Sequence, residues 1–314
     1  MDNTRLQNQD DEEGQLFRLI SWQGRYKLTY EEAWKKRLDV SHGKNHQGLY
    51  AATIEGELLN ADGDPHSVDR TLKMLNKALE KWQTRKTQRD KLIIKDLKQR
   101  DADFLWEYPE DGLILQVGIR DLPRQVDRRP KTWRREAHNI DYVWIKREEM
   151  QTIVPKTPKR GAKYPFPPAL TLRLARFHLL DYVHGETPPW PVAVAQQAQF
   201  QLEVTQVTAD TVELELTGHA PLREANVEGT KTERGFDARL YGKLVWDRRD
   251  KRFTRFDVVA VGTRWGSTGH SGRRNDDDPA PMGIAFTLAG KEPRHRTPPH
   301  ISQSRNGLQQ YFGK

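Results

Sequence analysis

There is no cysteine among the 314 residues of this chain. That removes disulfides, thiol nucleophiles, dithiol redox chemistry and thiolate metal sites together. It leaves the compartment open, since a chain without thiols suits reducing and oxidising surroundings equally. Long apolar runs are missing too: no window approaches the roughly 18 residues of a membrane-spanning helix. Apolar residues as a class are scarce, 35% against 31% charged, and the mean hydropathy is -0.88. Part of the length is therefore expected in solvated tails and linkers rather than in a core. The opening MDNTRLQNQDDEEGQ is polar and acidic, unlike a secretory signal. A soluble cytoplasmic protein is the default expectation, with export left open if the start has been trimmed. Phosphate-cradling glycine loops, a nucleophile elbow, HExxH and a paired-carboxylate pattern are also absent. No cofactor and no metal are expected.

What is present begins with length enough for about two domains and a net charge of +8. A positive field favours encounters with polyanions, so the partner, otherwise unknown, is expected to be a polyanion or a protein. Basic stretches at 84–100, 120–135 and 156–163 carry most of the excess, with Trp106, Tyr108 and Trp133 nearby. That mixture would suit single-stranded nucleic acid, although solvated helix faces and loops are the favoured reading.

The strongest pattern lies between Ala198 and Ala289. Runs such as AQFQLEVTQV, TVELELTGHA, GFDARLYGKLVW, RFTRFDVVAVG and MGIAFTLA alternate apolar and polar residues with period two. Half-buried antiparallel strands are written this way. Thr208-Ala209-Asp210 and the stretch from Asp247 to Asp250 read as hairpin turns. Such a meander must curl into a barrel or cover one face with helices. The covering helix is expected from Pro168 onward, where Leu170, Leu174, Phe177 and Leu180 recur at helical spacing. A strand is the competing reading there.

Earlier in the chain, residues 1–15 are expected as a disordered acidic tail. QLFRLISWQGRYKLT suggests a strand through Phe17, Leu19 and Ser21. Tyr30 to Leu38 suggests a short helix capped by Thr29, with Glu32 closing a capping box. Tyr50, Ala52, Ile54, Gly56 and Leu58 suggest one strand, with Asp62-Gly63 as a turn. Ser67 is expected to cap a helix over 68–83 or beyond, on apolar residues Val68, Leu72, Leu75, Leu79 and Trp82. Leu113–Ile119 and Asn139–Ile145 read as strands. Five prolines among the 17 residues 152–168 mark a linker over 151–167. The expected fold class is α+β: a small N-terminal α/β region (16–150), this linker, a larger antiparallel β-meander or barrel-like module with a covering helix (168–290), and a flexible basic tail (291–314).

Several residues could carry chemistry. His178 and Asp181 are three apart, which on one helix would orient a histidine or supply two metal ligands. A buried histidine bonded to local backbone is the favoured alternative. His42 and His46 have ligand spacing but lie in a glycine-containing loop, and Asp276, Asp277 and Asp278 lack the spacing of a calcium loop. The 20-residue connection 262–281 is long for a hairpin. There Trp265 could form a lid or platform and Arg264, Arg273 and Arg274 could grip an anion, with Trp190 as a further ligand-binding candidate. In the tail, Leu308, Tyr311 and Phe312 match the apolar and aromatic positions of peptides that dock on sliding clamps. Arg305 stands where such a peptide has glutamine, and packing back on the domain is the alternative.

RLARFHLLDYVHGETPPW (173–190), the stretch 235–266 containing FTRFDVVAVG, and PMGIAFTLAG (281–290) together resemble a module of uncharacterised bacterial proteins. LILQVGIRDLP and AHNIDYVWIKREE resemble the segments that precede it there. The resemblance implies a shared fold without a known activity. Residues 50–82 are also faintly similar to part of a thioredoxin-like domain, for which the missing cysteines leave only a scaffold. The leading expectation is a non-catalytic binding or interaction protein. An enzyme built on His178 and Asp181, or a nucleic-acid accessory protein, are the alternatives.

Overall fold

A computed structural model describes residues 12–37, 48–63, 67–84, 108–125, 133–225, 233–273, 276–290, 295, 297–302 and 305–313. The expected continuation of the third helix past residue 84, the loop histidines His42 and His46, Trp106, and Arg274 lie outside them, as does much of the first two basic stretches. The protein is α+β, and its contacts divide it into two compact units: residues 1–107 with 303–305, and residues 108–302 with 306–314.

The first unit holds α1 (Glu12–Arg25), α2 (Tyr30–Lys36), an antiparallel hairpin of β1 (Leu49–Ala52) and β2 (Leu58–Asp62), and α3 (Val68–Gln83). Two expectations fail here. The run around Phe17 and Leu19 is a helix: Gln15, Arg18, Leu19 and Trp22, spaced i, i+3, i+4, i+7, are buried together with the neighbouring Ser21 and Gln23. Two alternating apolar residues were too few to define a strand. Its first turn also takes up Glu12 and Glu13, which had been expected in the acidic tail.

The single strand expected through Tyr50 and Leu58 is instead folded back on itself. The Gly56 amide donates to Thr53 O at 3.0 Å, and Gly56 takes a left-handed φ of +83°. An added Cβ there would lie 2.7 Å from Leu19 Cδ2, so only glycine allows this turn to sit on α1. Gln23 of α1 fastens it, donating to Gly56 O at 2.7 Å and accepting from the Leu58 amide at 3.0 Å. The capping box of Thr29 and Glu32 forms as expected, and Ser67 caps α3.

The second unit is an open eight-stranded antiparallel sheet, ordered β4-β3-β10-β9-β8-β7-β6-β5. Its strands are β3 (Leu113–Asp121), β4 (His138–Ile145), β5 (Lys163–Pro165), β6 (Gln199–Val207), β7 (Thr211–Glu224), β8 (Arg234–Asp247), β9 (Arg252–Trp265) and β10 (Ala280–Leu288). The meander β6–β10 follows the period-two pattern: Leu202, Leu214, Phe236, Val258 and Phe286 all point into one core. The helix reading from Pro168 holds, as α5 (Pro168–His178) lays Leu170 and Leu174 on that core. The sheet does not close into a barrel.

The expected boundary at 151–167 is corrected. β3 and β4 belong to the large sheet, since β3 pairs with β10 along seven residue pairs. The proline-rich stretch carries Ile153 and Phe166 into the core and supplies edge strand β5. Proline is tolerated on an edge, where no outward ladder amide is required. Short helices α4 (Arg147–Gln151) and α6 (Val192–Ala195) complete this region.

The tail expected to be flexible holds a helix, α7 (Arg305–Tyr311), and packs Leu308 and Tyr311 against Phe177, Tyr142 and Trp144. The Tyr311 hydroxyl accepts from the Trp144 amide at 3.1 Å. It thereby satisfies a backbone donor on the free edge of β4 that would otherwise be orphaned in the interior. No helix among the described residues is long and apolar enough to cross a membrane.

Candidate functional site

Two features of the second unit concern function: a closed cluster of charges and an open groove. The cluster forms where the end of β3, the segment after α5, and the connection between β9 and β10 converge. Arg273, fully buried, uses all five guanidinium N–H groups. It donates to Asp121 twice at 2.8 Å, to Asp181 twice at 2.7 Å, and to Asp276 Oδ2 at 3.0 Å. Arg264, also buried, donates to Asp276 Oδ2 at 2.8 Å and to the Asp278 carbonyl at 3.2 Å. Arg124 holds Asp276 in a fork at 2.6 and 3.0 Å. His184 Nε2 lies 3.3 Å from Asp121 Oδ2. Three carboxylates thus face three guanidinium groups, and the cluster is neutral apart from the histidine.

Burial by itself raises the carboxyl of Asp121. The hydrogen bonds from His184 and Arg273, and the charges of Arg273 and Arg264, more than offset this and hold it well below the usual range. Asp276 is lowered against its own burial by Arg124 and Arg264. Burial likewise opposes the charge of Arg273, yet Asp121 and Asp181 raise its pKa. The ligand atoms of Asp121, His184 and Asp276 lie within 4.8 Å of one another, so the trio has the spacing of a metal site. The Arg273 Nη1 bridges the two carboxylates where a cation would sit, and the positive charge that a metal would supply is already provided.

The ligand-gripping roles expected of Arg264 and Arg273 are therefore corrected: both are internal struts. Trp265 is not a free lid either. Its indole donates to Glu233 Oε1 at 2.8 Å, and its ring lies so close over Gly235 that an added Cβ would come within 2.0 Å. Trp190 is buried, donating to Leu179 O at 2.8 Å with Arg234 stacked at 4.3 Å. Leu308 and Tyr311 are buried as well, which withdraws them from any partner. Phe312 beside them lies under Lys146 Nζ at 4.3 Å.

The expected pairing of His178 with Asp181 does not form. The helix ends at His178, because Leu179 leaves helical geometry at φ −90° and ψ 59°. Asp181 then turns to Arg273. His178, fully buried, places Nδ1 3.1 Å from Asp141 Oδ2 and Nε2 2.9 Å from Tyr311 Oη. A carboxylate only accepts, so Nδ1 carries the proton and the Tyr311 hydroxyl donates to Nε2. Burial pushes that hydroxyl well above its ordinary range. This is a latch for the C-terminal helix, shut away from substrate. Asp141 is its missed member; an acid inside the apolar strand NIDYVWI was the available signal.

The groove opens at the other end of the sheet, among β5, the start of α5, the end of α6 and β6–β8, with a volume of about 910 Å³. Tyr164, Phe166, Leu172 and Phe200 contribute apolar surface, and Gln199, Gln201, Thr217, His219 and Arg239 contribute polar groups. Strand register sets Gln199, His219 and Arg239 side by side across β6, β7 and β8. Gly218 permits this wall, since a Cβ there would lie 2.5 Å from the Phe200 ring. His219 is held by Asp237 at 2.6 Å, whereas Arg239 has no ion pair among the described residues. None of these residues stood out in the sequence, because alternating polar positions on strands look alike whether or not they line a concavity. Compared with protein-family models, curated proteins and solved structures, the chain matches none.

Proposed function

We propose that this chain is a non-catalytic binding protein whose ligand occupies the groove beside β5 and β6. Support comes from one contrast. His178, Asp141, Asp121, Asp181, Arg264 and Arg273 are tied into closed networks, while the concavity open to solvent offers hydrogen-bonding side chains, an apolar wall and the uncompensated Arg239. Most small-molecule sites combine these elements, and an unpaired guanidinium favours a ligand bearing a carboxylate or phosphate. The segments that resemble the uncharacterised bacterial module build most of α5, β8, β9 and β10, so the resemblance would describe part of the frame around the groove.

A native-state binder raises the melting temperature. A thermal-shift panel of carboxylates, sugar phosphates and acidic peptides is expected to contain compounds that stabilise the wild type and stabilise Arg239→Glu less. Shifts indifferent to Arg239→Glu would remove the groove from the proposal. Turnover of a compound, abolished by His219→Ala with the fold intact, would favour an enzyme. Retention on DNA that weakens steeply with salt would favour the nucleic-acid alternative.

A further inference from the structure

One histidine stands beside the uncompensated cation of the groove. The register of β7 and β8 sets His219 directly opposite Arg239. Residues paired in this way have Cα atoms about 4.5–5.5 Å apart and share a face of the sheet. The imidazole is already oriented, with Nε2 2.6 Å from Asp237 Oδ1. A carboxylate only accepts, so Nε2 carries a proton on the neutral and on the charged ring alike. Nδ1 has no hydrogen bond among the described residues, and His219 lines the groove. On the neutral ring Nδ1 is a bare lone pair, which an anion avoids. On the imidazolium it is a charged donor. Few other charges reach this pair. Gln199 and Gln201 of β6 and Thr217 of β7 are neutral, and Tyr241 of β8 spends its hydroxyl on Glu215. Lys163 of β5 lies 3.4 Å from Glu203, and the groove-lining residues of α5 and α6 are uncharged.

We propose that Arg239 and His219 together clamp one oxyanion of the ligand, and that His219 takes up a proton as the anion binds. This rests on the groove being the ligand-binding surface. With the ring neutral, the charge of Asp237 offsets that of Arg239. With the ring protonated, the three groups carry one net positive charge and two donors face the anion. Histidine changes charge between about pH 8 and 5, so capture tightens in acid and release follows neutralisation. The coupling is reciprocal, and the bound anion holds the proton on the ring.

Sulfate and formate keep their own charges over that range and serve as probes of the full chain, followed by thermal shift and by the ring signals of His219 in NMR spectra. At least one of them is expected to bind about five-fold or more tighter near pH 5.5 than near pH 7.5, and to keep the ring protonated to higher pH. The probe that binds distinguishes a tetrahedral from a planar oxyanion. His219→Gln keeps a donor for Asp237 but gains no charge, so it is expected to erase the pH dependence and leave the weaker binding. Arg239→Gln is expected to abolish binding at both pH values, with circular dichroism unchanged in either variant. Binding that needs Arg239 yet is equal at the two pH values would overturn the clamp and leave the groove as the binding surface. So would a pH dependence that survives His219→Gln. If neither probe binds, or if binding is indifferent to Arg239→Gln, the clamp is overturned as well, and the panel of larger compounds decides the groove by itself.

Discussion

Both units bury charge, including Arg18 of the first, but the described part of the second closes a whole network of ion pairs around it. The second encloses charge: Asp121, Arg264 and Arg273 are almost wholly buried. The first leaves Val68, Leu72, Leu75 and Leu79 of α3 exposed. The comparison teaches that burial follows from what a unit can close around a group. An eight-stranded sheet and a long connection can surround an arginine with carboxylates on several sides. A two-stranded hairpin has one face to offer α3, whose Met74 and Ala78 are buried.

The sharpest way to break the contrast is to remove the centre of the charge cluster. Arg273→Met leaves Asp121 and Asp181 without their forked donor and is expected to destabilise the second unit by about 3–5 kcal/mol in urea unfolding. Combined with Asp121→Asn, the loss should fall short of the sum of the two, because the residues share one network. Acid should act on the same cluster. The carboxyls of Asp121 and Asp276 are lowered on folding, so their contribution is complete above the unfolded value of about 3.9 and is lost as pH falls toward the folded values. Stability of the second unit should therefore decline below about pH 4, and the decline should be shallower in the Arg273→Met, Asp121→Asn variant. An unchanged acid profile in that variant would detach the cluster from acid unfolding.

Next in size is the latch. Tyr311→Phe removes the hydroxyl that joins His178 Nε2 to the Trp144 amide, leaving buried groups unsatisfied at about 1–3 kcal/mol. Faster amide exchange at Trp144 would be the local sign. In the first unit Ser67→Ala, which deletes the cap of α3, should cost about 1 kcal/mol. The smallest effect is expected at Arg239→Gln, within about 0.5 kcal/mol, since that side chain supports no other; a larger loss would make it a structural residue.

Much of the second unit could be read before its structure. Strands β6 to β10 announce themselves by alternation, because a half-buried sheet repeats every two residues whatever surrounds it. The helix at Pro168 was legible from Leu170, Leu174 and Phe177 for the corresponding reason. Other features were not. Whether β3 and β4 join that sheet depends on pairing Met282 with Asp121, a partnership that no local window contains. The cluster was half visible: Arg264 and Arg273 were singled out, but as free cations. Arg273 and Asp121 are separated by 152 residues, and charge on a long connection reads the same whether solvated or neutralised. His178 was noticed while its partner Asp141, 37 residues away, was not, and Tyr311, 133 residues away, was singled out only as part of the tail.

By itself the sequence determined the periodicities, hence which segments become strand or helix and which face of each avoids water. It also determined the absence of thiol chemistry. Tertiary structure alone decided which charges meet, where the groove opens, and which apolar side chains of α3 are buried. Periodicity is enforced by backbone geometry within a few residues, whereas the energy of a charge or of an apolar face depends on neighbours that only the folded chain brings near.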